Sequence, residues 1–275
     1  MIESTTKSYP SVSQSFGITG ILILGVLLFS PVDLLLNKFI GKEASMLICY
    51  LLSIGIPSWI VYLIRKRKTD AHSFNLTVKN KRIIPFIIIA AIVLLMGVVG
   101  PITSLIPIPE SFKKALIGLV SRRGVFTFML MVIAAPVLEE FIFRGIILDG
   151  LLKRYSPTKS ILVSSLLFGL VHLNPWQFIT GFIIGIFSGW VYYRTRSLSF
   201  SIIIHAAANL TGFLMRFFID VDSSMNARLL DMYGGLINLI LVIAGSVLIV
   251  SVCVYFLRKE FERLKDRNGC IEDTI

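Results

Sequence analysis

The chain is short of charge. Of its 275 residues, 16% are Asp, Glu, Lys or Arg, whereas a soluble globular domain carries about 25%. That shortfall argues against a water-soluble enzyme. Cysteine is scarce as well. Cys49, Cys253 and Cys270 are odd in number and lack metal-ligand spacing, so they supply neither a disulfide framework nor a cysteine-built metal site. Acidic residues are outnumbered, 16 against 27 basic, for a net charge of +11. The basic residues stand at the ends of apolar runs, not along an aromatic-lined groove, and no nucleic-acid partner is expected. No segment of 20 to 50 residues repeats. The N-terminus lacks the pattern of a secretory signal: Lys7 is its one basic residue, no small-residue cleavage site follows, and the first apolar run is too long. That run reads as a retained span.

What the chain has in plenty is apolar length. Hydrophobic residues make up 55% of it, and mean hydropathy is +0.83. The expected fold is all-α, a polytopic membrane helix bundle with about eight transmembrane helices. The spans read as Phe16–Leu36, Ser45–Ile64, Ile83–Val99, Val125–Gly150, Ser160–Leu173, Trp176–Tyr193, Leu198–Phe218 and Gly235–Leu257. The fifth is short and is ended by Asn174-Pro175. Pro101 to Pro109 reads as a loop leading to an amphipathic segment at Phe112–Val120. Three regions follow: residues 1–124 with about three spans and the amphipathic loop, 125–218 with four spans, and 219–275 with the last span and a basic tail. Gly181, Gly185 and Gly189 recur every fourth residue, a spacing that lets helices approach closely within the chain.

Eight spans put both termini on one side. With the N-terminus inside, the inner segments hold eighteen basic residues and the outer loops eight. Cytoplasmic Lys and Arg predominate in membrane proteins, so both termini are expected in the cytoplasm. The run Arg65–Lys68 is then a topology anchor beside anionic lipid. Asp33, near the outer end of the first span, reads as an interfacial residue.

Ionisable groups inside a span cost about 2.5–3.5 kcal/mol on insertion scales and so require a reason. The fourth span carries Glu139, Glu140 and Arg144, the fifth His172, the seventh His205 with Asn209. Of three histidines in the chain, only His72 falls in a loop. At 1.5 Å per residue, Glu139, His172 and His205 lie roughly 16, 18 and 12 Å from the cytoplasmic ends of their helices. One shared buried site accounts for the matched depths. Residues four apart share a helical face, so Glu140 is expected to pair with Arg144. Glu139, rotated about 100° away, is left to face a cavity. His205 and Asn209 share a face, as do Phe168 and His172, whose ring would wall one side. A lone Glu–Arg pair would read as structural or functional alike, and a lone histidine as structural; the combination reads as a functional site.

These residues resemble the motifs of a known family, the CPBP intramembrane proteases, also called the Abi or type II CAAX-protease family. It takes in the eukaryotic CAAX prenyl endopeptidase and bacterial proteins linked to bacteriocin processing and self-immunity. Its first motif matches Glu139-Glu140-Phe141-Ile142-Phe143-Arg144, its second Phe168-Gly169-Leu170-Val171-His172, its third His205-Ala206-Ala207-Ala208-Asn209. The resemblance covers about Val125 to Phe213. It implies hydrolysis of a peptide bond in a membrane-associated protein or peptide, with Glu139, His172, His205 and Asn209 catalytic and Glu140, Arg144 and Phe168 supporting. Glu139 and His172 would activate a water, and His205 and Asn209 would stabilise the oxyanion. Zinc stays open as a cofactor: Glu139, His172 and His205 are suitable ligand types, although no His-Glu-x-x-His pair is present. The family's distribution implies a bacterial plasma membrane, and with it a leader peptide, bacteriocin precursor or peptide pheromone as substrate in place of a prenylated protein. The implied site opens toward the cytoplasm. Two rivals stand beside the protease: a non-catalytic scaffold or bacteriocin self-immunity protein, and a proton-coupled transporter, against which the absence of inverted-repeat symmetry argues.

Overall fold

The computed structural model describes residues 8–69, 73–220, 227 and 229–272. Among the described residues all regular structure is helical. Ten helices follow one another in the described residues: α1 Val12–Ile40, α2 Lys42–Lys68, α3 Lys81–Ser104, α4 Glu110–Val120, α5 Val125–Leu152, α6 Pro157–Leu170, α7 Pro175–Thr195, α8 Leu198–Met215, α9 Leu229–Tyr233 and α10 Leu236–Glu272. Six of them (α1, α2, α3, α5, α8 and α10) are long and apolar enough to cross a membrane. With α6 and α7 they occupy the eight expected segments. At 14 residues α6 is about 21 Å long, short of the roughly 30 Å hydrocarbon core. The protein is an integral membrane protein. Only 11% of the most apolar stretch of α10 is buried within the chain, so most of its Leu, Ile and Val side chains face lipid.

Local chemistry sets the helix ends. Ser11 and Gln14 cap α1 reciprocally: Gln14 N donates to Ser11 Oγ at 3.3 Å and Ser11 N to Gln14 Oε1 at 2.8 Å. Asn174 caps α7 by accepting from Gln177 N at 2.9 Å, with Pro175 in the first helical turn. Four stretches widen into π turns: Leu51–Gly55, Leu95–Val99, Met129–Ala134 and Phe141–Leu148. Pro57, Pro101 and Pro136 each follow the first three by two residues. Proline has no N–H and its ring crowds the carbonyl four residues back, so the preceding turn opens. The expected loop from Pro101 is therefore corrected: the wide turn absorbs this proline, and α3 continues to Ser104. The amphipathic segment is present as α4.

α5 runs through the middle of the fold, with Phe143, Ile146, Ile147 and Leu151 buried in one cluster with residues of α1, α2 and α6. Its partners α6 and α7 pack at glycine. A side-chain carbon added at Gly185 would stand 3.0 Å from Ser165 Cβ, and one at Gly181 3.2 Å from Gly169 Cα. The four-residue glycine spacing thus serves packing inside the chain, as expected. Asp33 is held at the α1–α2 junction by Lys42 and by Ser45 Oγ, the latter at 2.7 Å. Lys7, His72 and Arg228, which entered the charge and histidine inventory, lie outside the described residues.

Candidate active site

Three helices and one turn bring the expected site residues together. α5 supplies Glu139, Glu140 and Arg144, α8 supplies His205 and Asn209, and α6 supplies Phe168. His172 was expected within the fifth span. It stands instead in the turn that closes α6, where its N–H donates to Gly169 O at 3.2 Å. The helix stops because Asn174 and Pro175 begin α7 immediately afterwards.

Glu139 Oε2 lies 3.9 Å from His172 Nε2 and 3.9 Å from His205 Nε2. Those distances are too long for direct hydrogen bonds and suit a single bridging water. Oε2 is buried and has no hydrogen-bond partner among the described residues. The proton positions follow from the partners on the far side of each ring. His172 Nδ1 is 2.8 Å from Phe168 O; a carbonyl only accepts, so this nitrogen carries the proton. His205 Nδ1 is 3.0 Å from Glu140 Oε1 and likewise donates. In the neutral rings both Nε2 atoms therefore present lone pairs toward Glu139 Oε2.

The two glutamates divide as the helical spacing predicted. Glu140 is fully buried and accepts from Arg144 Nη1 at 2.9 Å. It also takes the His205 ring and Ser188 Oγ at 3.2 Å. Arg144, equally buried, donates through Nη2 to Gly185 O at 3.2 Å, and its guanidinium lies 4.5 Å from the centre of the Phe168 ring. That ring meets both imidazoles edge-on, at 5.4 Å each. Phe168 thus separates the two histidines and fixes their tilt. Asn209 Nδ2 donates to Met131 O at 2.8 Å, a carbonyl in the turn to which Pro136 offers no N–H. Asn209 is engaged with backbone through one amide hydrogen, with the second left for another acceptor.

One site residue escaped the sequence reading. Tyr50 of α2 donates its hydroxyl to Glu139 Oε1 at 2.6 Å. It sits in the first third of α2, among Leu47, Ile48, Cys49, Leu51 and Leu52. Searching only for charged side chains and histidine passes over it, whereas a hydroxyl deep in an apolar run was the available signal. Beside Tyr50, toward α1, lies a mostly apolar cavity of about 220 Å³ walled by Val26, Phe29, Met46, Cys49 and Leu130, with Ser30, Asp33 and Ser53 also on its lining.

Residues 121–211 match the family model of the Rce1-like type II CAAX prenyl endopeptidases. All seven site residues drawn from the three motifs fall in that region, and Tyr50 lies outside it. The chain is also 32% identical over 81 residues to the UPF0177 protein YxdF of Lactococcus lactis subsp. lactis (strain IL1403). This alignment covers 29% of the chain and 44% of that relative, so the chain spans less than half the length of the curated relative it matches. No solved structure matches.

Proposed function

We propose that this integral membrane protein, whose residues 121–211 carry an Rce1-like CAAX-endopeptidase region, hydrolyses a peptide bond of a membrane-associated peptide or protein. The observation that carries the proposal is the convergence of Glu139 Oε2 with two imidazole Nε2 atoms, each at 3.9 Å. A water held there donates one hydrogen to Glu139 Oε2 and one to His172 Nε2. As its oxygen attacks the scissile carbonyl carbon, the proton passes to Glu139, which then returns it to the departing amine nitrogen. The oxyanion is met by the second amide hydrogen of Asn209 and by His205 when Nε2 carries a proton. Glu140 orients His205 through Nδ1, as the carboxylate of a Ser-His-Asp triad orients its histidine. The mostly apolar cavity beside Tyr50 supports a substrate that arrives with an apolar segment from the lipid.

Zinc was the open cofactor. Glu139, His172 and His205 are zinc-ligand types, and both rings are held through Nδ1 as ligating histidines usually are. Among the described residues, however, no three His, Cys, Asp or Glu side chains are arranged to hold one ion. The donor types fit and their arrangement does not, so no step is drawn through a metal. The eighteen-to-eight distribution of basic residues supports termini in the cytoplasm and a site in the cytoplasmic half of the membrane, and the family resemblance supports a bacterial plasma membrane.

The test is product mapping by mass spectrometry. Purified protein in lipid is offered a library of membrane-anchored peptides, with and without a zinc chelator. New peptide ends are expected in both conditions and absent with His172→Ala. Loss of product in the chelator would bring a metal into the reaction. Products made equally by His172→Ala would remove the histidine from it.

Tyr50→Phe provides a second check. Its hydroxyl donates to a carboxylate, a class of hydrogen bond worth about 1.5–3 kcal/mol. If that bond holds Glu139 in its working orientation, kcat falls roughly tenfold to a hundredfold with KM little changed. An unchanged kcat would leave Tyr50 a packing residue.

A further inference from the structure

Away from the glutamates, the basic ends of α2, α5 and α7 surround a cavity of about 450 Å³. Its central carboxylate, Asp149, faces three cations: Lys153 Nζ at 2.8 Å, Arg65 Nη2 at 3.5 Å and Arg196 Nη1 at 3.9 Å. Among the described residues, one negative charge against three positive ones leaves a surplus of two. Arg65 is the most informative member. Its side chain is 4% exposed, its guanidinium lies 4.5 Å from the centre of the Phe74 ring, and its Nη1 is buried without a hydrogen-bond partner among the described residues. A buried cationic donor left unpaired is costly, and an acceptor oxygen relieves that cost. Phe74 is itself held in place, because the next two residues of its loop are tied to the start of α8: Leu198 N donates to Asn75 O at 2.8 Å and Ser199 Oγ to Leu76 O at 2.7 Å.

Bracing of the helix ends explains Asp149 and its contacts. It does not explain the two uncompensated charges or the orphaned guanidinium nitrogen. Both call for an anion with several acceptor oxygens, and arginine matches phosphate oxygens in a fork geometry. The cavity lies among the ends of membrane helices, where basic pockets collect lipid head groups. We infer that the Arg65–Lys153–Arg196 cavity binds the phosphate of an anionic phospholipid. Phe74 and Tyr192 wall the site, and Gly145, the residue after Arg144, also lines it. The head group thus contacts the helix that carries both glutamates. The inference stands apart from the proposed reaction, and its test needs no substrate.

Native mass spectrometry of the detergent-purified protein reads it directly. The protein is offered phosphatidylglycerol and phosphatidylcholine with identical acyl chains. Wild type is expected to retain phosphatidylglycerol roughly tenfold over phosphatidylcholine, the size that two basic groups at a membrane surface readily supply. The double variant Lys153→Gln/Arg196→Gln, whose side chains are partly exposed, is expected to lose the preference. The control Lys66→Gln/Arg67→Gln removes two exposed charges from the same end of α2 and is expected to keep it. Equal retention of the two lipids by wild type, or an equal drop in both variants, overturns the inference. Excess inorganic phosphate is expected to leave the lipid bound; its displacement would reassign the site to free phosphate.

Discussion

Glu139→Gln is expected to lower the rate of peptide cleavage by about 10²–10⁴-fold, the range for removing a positioned general base. Glutamine keeps the shape of the side chain, and its amide oxygen can still accept from Tyr50, now 2.6 Å from Oε1. What it loses is the ability to take a proton at the buried position that faces His172 and His205. The fold should survive, because Glu139 has no ion-pair partner closer than the two imidazoles at 3.9 Å. Single-turnover cleavage of a mapped substrate measures the effect, with thermal unfolding in detergent confirming a folded protein. The same variant separates the protease from a scaffold or self-immunity protein. A cellular phenotype that persists with Glu139→Gln belongs to a role that needs no hydrolysis. A cleavage rate within a few-fold of wild type would sink the mechanism.

Arg144→Met is expected to be the most damaging single change to stability, at about 3–5 kcal/mol, the cost of breaking a buried ion pair from one side. Arg144 and Glu140 are each fully buried, so removing the guanidinium strands a carboxylate with only Ser188 and the His205 ring to accept from. The paired variant Glu140→Gln/Arg144→Met removes the stranded charge and is expected to recover most of that loss. It should nevertheless remain poorly active, because His205 then lacks the carboxylate that orients Nδ1. Chemical or thermal unfolding of the three variants, read beside their cleavage rates, checks both parts. A double variant as unstable as the single one would mean that Arg144 stabilises the fold through Phe168 and Gly185 O alone.

Much of this was legible along the chain because it is local. Scarce charge and long apolar runs required membrane helices. The i,i+4 rule paired Glu140 with Arg144 and turned Glu139 away from them, since helical pitch fixes which neighbours share a face. The residues of the three motifs, carried on three segments, converge in one cluster, and the matched family region contains all of them. Where local chemistry competed, the outcome was harder to read. Pro101 stayed inside α3 because a π turn absorbed it, and His172 fell just past α6 because Asn174 starts the next helix.

Partners far apart in sequence were settled only by tertiary structure. Tyr50 meets Glu139 across 89 residues, and His205 meets Glu140 across 65. The Asn209 amide was expected to turn toward substrate, yet one of its hydrogens serves Met131 O on α5. The surplus of charge around Asp149 comes from α2, α5 and α7 together, and no one segment reveals it. The physical reason is that apolar faces turned to lipid and to protein look alike in a sequence. Which helices adjoin is decided by close approach at small residues and by hydrogen bonds between helices, and those exist only once the bundle has assembled.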